Sequence, residues 1–173
     1  LNKAGTPYYE EDIVQARGAL SVYPGGLQIG GGITAENAKE FLNMGASHVI
    51  VTSYVFSNGV VDYDRLETLY KAVGKEHLVL DLSCRKKGGK YYIVTDRWQK
   101  FTKEIVCEET ILKLQDYADE FLIHAVDVEG KASGIESKVA ALLGNWGKLP
   151  TTYAGGIHTY EDLQSLKTLG KNK

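Results

Sequence analysis

The run Leu27–Ile33 reads Leu-Gln-Ile-Gly-Gly-Gly-Ile, and a second run, Thr152–Ile157, reads Thr-Tyr-Ala-Gly-Gly-Ile. Each is a short apolar segment that breaks into glycines and passes at once to a threonine, Thr34 or Thr159, and to acidic residues, Glu36 or Glu161 and Asp162. That order predicts a strand, a glycine turn and an N-capped helix. One such segment is an ordinary tight turn at least as readily as a phosphate cradle. Two in register constrain the fold far more. With Gly31-Gly32 laid on Gly155-Gly156 and a one-residue gap, Thr34 meets Thr159, Glu36 meets Glu161, Asn37 meets Asp162, Phe41 meets Leu166 and Gly45 meets Gly170. Their separation is about half of the roughly 250 residues of an eight-unit β/α barrel, so the copies are expected to mark two related half-barrels. Glycine lets backbone N–H groups approach a ligand closely, and a helix N-terminus favours an anion. Gly31, Gly32, Gly155 and Gly156 are therefore candidate phosphate contacts, suited to a small substrate with a phosphate at each end.

Around these runs the apolar spacing alternates. Ile13, Ala16 and Leu20 predict a helix over Tyr9–Val22, stopped by Pro24-Gly25-Gly26, and Ala35–Met44 predicts another, closed by Gly45. His48–Ser53 is a strand of the almost continuously apolar type that parallel sheets bury. Asp62 caps a helix with Leu66, Leu69, Tyr70 and Val73 on one face and Gly74 as its stop. Leu78–Ser83 is the next strand. Gly88-Gly89 followed by Tyr91–Val94 predicts an excursion on a long loop, a short hairpin carrying Arg97 and Trp98. A helix over Glu108–Ala118, a strand over Phe121–Val126, a helix around Val139–Leu143, a strand over Thr151–Ala154 and a helix ending at Leu169 complete the order. Strict alternation means a parallel sheet with covering helices, and the half-repeat favours a closed barrel. The expected fold is α/β, a (β/α)8 TIM barrel of which about five βα units are present. Residues 1–173 then form a single partial barrel domain whose first strands and last strand lie outside this sequence.

A net charge of −2, with no basic run, points to neither nucleic acid nor a membrane surface as a partner, and no apolar stretch approaches the roughly 18 residues of a membrane span. Cys84 and Cys107 have no metal-ligand or redox spacing and read as free thiols of a reducing compartment.

Barrel chemistry lies at the C-terminal strand ends. Alternation along Leu78–Ser83 sends Leu78, Leu80 and Leu82 towards the helices and Val79, Asp81 and Ser83 into the barrel. A carboxylate there needs a partner or a task, so Asp81 is either half of an ion pair with Arg85 or a general acid or base. Asp127 reads equally as a second acid and as a loop-capping residue. His124 reads as a packing histidine. Thr52 and Ser53 follow the first glycine site, where hydroxyls commonly complete an anion site. Trp98 and Arg97, on a long loop, suit either plain packing or closure over a flat heterocycle.

With these residues in view, Leu27–Ile33, Gly45–Ser53, Asp81-Leu-Ser-Cys-Arg85, Phe121–Gly130 and Thr152–Ile157 resemble a known family. It is the histidine-pathway isomerase family, the phosphoribosylformimino-5-aminoimidazole carboxamide ribotide isomerases, in the version typical of eukaryotes and found in some bacteria. The resemblance covers nearly all of the chain from about Gly25. It implies a barrel that binds a bisphosphate and carries out an Amadori rearrangement from an aminoaldose to an aminoketose, with one catalytic Asp on the first strand and another on the fifth. By position, Gly31, Gly32, Thr52 and Ser53 would hold one phosphate, and Gly155 and Gly156 part of the other, helped by backbone from Gly130 to Gly134. Arg97 and Trp98 match the loop that stacks on the imidazole, and Arg85 stands at the same mouth. Asp81 lies on the fifth strand, but many bacterial members carry their Asp where Ser83 stands, which makes Ser83 a second candidate and Asp127 a third. The first-strand Asp has no counterpart here.

The resemblance calls for no metal and no organic cofactor. It implies a monomer when complete, in the cytoplasm or, in a plant, the plastid stroma. Two other readings remain: the sister cyclase of the pathway, which takes ammonia from a glutaminase partner, and a non-catalytic phosphosugar-binding half-barrel.

Overall fold

A computed structural model describes residues 1–2 and 5–172. The chain divides into two compact units, Leu1–Ser57 with Val61–Leu80 and Tyr117–Asp119, and Asn58–Val60 with Asp81–Asp116 and Glu120–Lys173.

The first unit begins with helix α1 (Tyr9–Val22), in which Leu20 is buried and Ile13 and Ala16 are half-buried while Val14 and Val22 face solvent. Strand β1 (Gln28–Gly30), helix α2 (Ala38–Asn43) and strand β2 (His48–Val51) follow. Next come the short strands β3 (Phe56–Ser57) and β4 (Val60–Val61), helix α3 (Tyr63–Val73) and strand β5 (Leu78–Asp81), of which Val60 and Asp81 belong to the second unit. β1, β2 and β5 are parallel, with Gln28 opposite His48 and Val49 opposite Leu78. α3 presents Leu66, Leu69 and Val73 to the core, Asp62 Oδ1 accepts the N–H of Arg65 as its cap, and Gly74 (φ 80°) ends it. Phe41, Val49, Val51, Leu66, Leu69 and Leu78 are all at most 2% exposed. Burial does not alternate along β5: Leu78, Val79 and Leu80 are all covered, as expected of a strand with helices and strands on both faces.

Two boundaries differ from the sequence expectation. α2 starts at Ala38 because the chain from Ala35 to Asn37 is a turn, tied by the Asn37 side chain to the backbone at Thr34 and Gly32. β5 stops at Asp81 because its carboxylate turns back to accept the N–H of Ser83 at 2.8 Å, an Asx-type turn that breaks the strand.

The second unit carries strands β6 (Cys84–Lys87), β7 (Lys90–Thr95) and β8 (Lys100–Ile105), then helix α4 (Glu108–Leu114), strand β9 (Glu120–His124), helix α5 (Ser137–Trp146), strand β10 (Thr151–Ala154) and helix α6 (Tyr160–Leu169). The excursion expected as a short hairpin is a three-stranded antiparallel sheet, β6-β7-β8. Gly88 and Gly89, both at positive φ (56° and 80°), supply the two-residue turn whose twist suits β6 and β7. Arg97 and Trp98 sit in the turn between β7 and β8. β9 and β10 are parallel, Ala154 opposite His124, and Leu82 donates its N–H to the Leu122 carbonyl at 2.9 Å. α4 is shorter than the expected helix, but Ala118, three residues past the turn at Gln115, is still fully buried. Among the described residues no helix is long and apolar enough to cross a membrane.

Candidate active site

Three strand ends converge in the second unit. The residues after β5 run beside β9 through the Leu82–Leu122 hydrogen bond and a parallel bridge between Cys84 and Ala125. β10 runs on the other side of β9, and Ala125 donates its N–H to the Ala154 carbonyl at 2.8 Å. This register gathers Asp81, Ser83, His124, Asp127 and Gly155-Gly156 at one end of the sheet.

Within the cluster Ser83, fully buried, donates its hydroxyl to Asp81 Oδ1 in a short hydrogen bond, and its Oγ lies 3.2 Å from Nδ1 of His124. The Trp98 ring packs on His124 with centroids 5.2 Å apart and the planes tilted by 45°. Asp96, Arg97 and Trp98 all have positive φ (51°, 56° and 65°), an unusual run for non-glycine residues that turns the Trp98 ring back over the sheet end. The Trp is half-buried and Arg97 is exposed.

Arg85 does not pair with Asp81 as one sequence reading required. Its Nε donates to Asp127 Oδ1 at 3.2 Å, while the Lys86 N–H donates to Asp127 Oδ2 at 2.7 Å. The Cys84–Ala125 bridge sets this pairing, because it places Arg85 and Lys86 beside the turn that carries Asp127. The Arg85 guanidinium carbon also lies over the Phe101 ring, 5.5 Å from its centroid. Burial, reinforced by the charge of Asp127, pushes the Cys84 thiol up to about 12.

The glycine turns repeat as the sequence alignment requires, down to the side chain that ties each one. In the first copy Asn37 Oδ1 accepts the Thr34 N–H at 2.8 Å and Nδ2 donates to the Gly32 carbonyl at 3.0 Å. In the second, Asp162 Oδ2 accepts the N–H groups of His158 and Thr159, both at 3.1 Å, and Thr159 Oγ1 accepts the Asp162 N–H at 3.1 Å, a complete capping box. The tie is neutral in one copy and anionic in the other. The His158 N–H above all, with Thr159, holds the Asp162 carboxyl below its ordinary value. Thr34 does not cap its helix as Thr159 does; Asn37 has taken over the N-terminal turn.

Each glycine pair has positive φ: 95° and 64° at Gly31 and Gly32, 119° and 77° at Gly155 and Gly156. The parallel register of Gly30 opposite Ile50 puts Gly31-Gly32 and Thr52-Ser53 at the same strand end in the first unit. In the second unit a Cβ at Gly155 would stand 2.8 Å from the Ala125 carbonyl oxygen, and one at Gly156 would collide with the Gly134 carbonyl. The Gly134 N–H donates to the Gly156 carbonyl at 3.2 Å, so the 130–134 loop is laced to the glycine turn through its own backbone. Gly130 has open space where a Cβ would lie.

The sequence reading placed Asp81, Ser83, Thr52, Ser53 and the glycine pairs at strand ends and Arg97 and Trp98 on a loop, and took His124 for a packing histidine, whereas its Nδ1 lies 3.2 Å from Ser83 Oγ. The signal was present in its parity with Leu122, since the strand end that carries Asp127 also carries the residue facing Ser83.

Parallel βα units with carboxylate, hydroxyl and imidazole groups at the strand C-termini, next to glycine turns, are the class of architecture that α/β barrels present. The family model described as histidine biosynthesis protein, a family of TIM barrels, matches residues 9–173, and the chain belongs to that family, contributing about five βα units of the (β/α)8 barrel. It is 57% identical over 152 residues to the chloroplastic phosphoribosyl imidazole-4-carboxamide isomerase of Medicago truncatula, covering 88% of this chain and 49% of the relative. It is 44% identical over 158 residues to the isomerase of the same name from Neurospora crassa and 41% over 164 residues to that from Saccharomyces cerevisiae, covering 90% and 91% of this chain. The chain spans about half the length of the plant relative and 62% of each fungal one.

Proposed function

We propose that the protein is an aldose–ketose isomerase of histidine biosynthesis, converting an aminoaldose bisphosphate carrying an imidazole carboxamide into the aminoketose. The observation that carries this reading is the 57% identity to a relative named as that isomerase, over 152 residues of this chain. The sister cyclase and the non-catalytic half-barrel have no comparable support.

The rearrangement needs one group to protonate the ribose ring oxygen, opening the ring to an imine, and one to remove the proton from the adjacent carbon. Asp81, engaged by Ser83, is the acid–base group supplied by this chain, with Ser83 assisting. Asp127, bound by Arg85 and Lys86, shapes the mouth and is the weaker candidate for proton transfer. Gly31, Gly32, Thr52 and Ser53 would bind one phosphate, Gly155 and Gly156 the other, with Gly130 and Gly134 supporting the second site. Trp98, with Arg97 beside it, would close over the imidazole. Positioning by two phosphate anchors and proton transfer by fixed side chains account for the reaction without assistance from a metal or organic cofactor.

The two units are read as parts of a single barrel domain, monomeric when whole. The compartment is the cytoplasm, or a plastid if the protein shares the destination in the plant relative's name. The test is turnover of the aminoaldose bisphosphate by the whole protein, followed by chromatographic separation of the aminoketose. Binding without any aminoketose formed would reject the isomerase reading.

A further inference from the structure

His124 ends β9 with its Nδ1 3.2 Å from the buried Ser83 Oγ, and hydrogen-bond valence limits what that nitrogen can be. A serine hydroxyl has one proton and two lone pairs, and an ionised carboxylate only accepts. Ser83 directs its proton to Asp81 Oδ1, which also accepts the Ser83 N–H at 2.8 Å. What Oγ turns towards His124 is therefore a lone pair, and the nitrogen facing it must carry hydrogen. We propose that His124 is a positioning residue held as the Nδ1–H tautomer, and that its bond to Ser83 Oγ aims the serine proton at Asp81 and so fixes the Asp81 carboxylate for acid–base work.

Two further contacts support the assignment. Trp98 lies against the His124 ring, 5.2 Å between centroids, which restricts rotation of the imidazole about its Cβ bond. The Ser83 carbonyl accepts the Val94 N–H at 2.9 Å, which fixes the serine backbone at the junction with β7. With hydrogen on Nε2 instead, Ser83 would have to donate to Nδ1 and to Asp81 at once from a single proton, and one of the two Oγ contacts would have no hydrogen between its atoms. The catalytic part of the proposal rests on the isomerase reading; the tautomer rests on hydrogen-bond geometry alone.

The experiment uses the whole protein labelled with nitrogen-15 at histidine. This chain has four histidines, and the His124 signals are those that vanish in His124→Asn. The expected spectrum shows His124 as the Nδ1–H form, with Ser83→Ala shifting it towards Nε2–H. In parallel, kcat and KM are compared for His124→Asn and His124→Phe. The Asn amide nitrogen sits two bonds from Cβ, as Nδ1 does, and donates to Ser83, so kcat should stay within a few-fold of the parent. Phe keeps a flat ring against Trp98 but has no donor, so kcat should fall by about 10- to 100-fold, the usual range for removing a group that orients a reacting side chain, with KM nearly constant. An Nε2–H tautomer in the parent protein, or equal kcat for the Asn and Phe variants, would overturn the proposal. If the whole protein proves not to be an isomerase, the spectrum still decides the tautomer.

Discussion

Arg85 holds Asp127 from the side while the Lys86 N–H holds it from the backbone, so this carboxylate accepts on both oxygens, at 3.2 and 2.7 Å. Asp81, four residues before Arg85, is instead engaged by a serine. The two candidate acids at this strand end thus have different surroundings, and mutation should separate them.

Asp81→Asn should lower turnover by about 100- to 10,000-fold with little change in substrate affinity, the pattern for losing an acid–base group. Asp127→Asn should lower it far less, because its oxygens already serve Arg85 and Lys86. Steady-state kinetics on both variants of the whole protein check this. The reverse ranking would move the catalytic role to Asp127.

The glycines of the second turn should not be equivalent to nearby Gly130. Gly156→Ala drives a Cβ into the Gly134 carbonyl at a backbone φ of 77°. Gly130→Ala meets only the conformational penalty of its positive φ, about 1–2 kcal/mol. Melting temperature should therefore fall more for Gly156→Ala, and that variant alone should also weaken bisphosphate binding, measured by calorimetry. Equal losses in both would mean that the backbone lacing to Gly134 is not what demands glycine.

Trp98 is half-buried in the turn between β7 and β8, with His124 as its aromatic partner. Trp98→Ala should leave the melting temperature nearly unchanged while reducing isomerisation. A core aromatic such as Phe121, at 0% exposure, should by contrast lose about 3–5 kcal/mol on truncation to Ala. Thermal melts of the two variants side by side distinguish a closing residue from a packing one.

The Asp162 carboxyl titrates below its ordinary value of 3.8 in the folded protein. A lowered folded pKa means that the charge stabilises the fold above the unfolded value and that this stabilisation is lost as pH falls through the folded one. The melting-temperature gap between the parent and Asp162→Asn should be full at neutral pH, start to close near pH 3.8 and vanish in stronger acid. A gap constant across that range would show that the hydrogen bonds, not the charge, carry the cap.

Cys84 is 2% exposed with its thiol pushed up to about 12, whereas Cys107 is half-buried. At pH 8 the native chain should take up one equivalent of a thiol reagent, at Cys107, and two after denaturation. Peptide mapping of the modified protein identifies the site.

The order of strands and helices, the half-repeat and the pairing of Asn37 with Asp162 in the two copies could all be read from residue spacing, because each depends on local period, turn chemistry and capping. α3 is the clearest case: Asp62, the stripe of Leu66, Leu69 and Val73, and Gly74 name its start, face and end without help from the rest of the chain. The candidate residues at strand ends were legible for the same reason, since alternation along a strand fixes which positions reach its C-terminal edge. The partners of those residues were not. Whether Arg85 would meet Asp81 or Asp127, and whether His124 would pack or bond to Ser83, depended on the register between Cys84 and Ala125 and on the Asx turn that stops β5 at Asp81. Residues about 40 positions apart in sequence come within hydrogen-bonding distance only after strands have paired, and a shift of one residue would have sent each side chain to the opposite face. Local chemistry was thus sufficient to determine the elements and the edge where the polar groups gather, and strand pairing alone decided which of those groups touch.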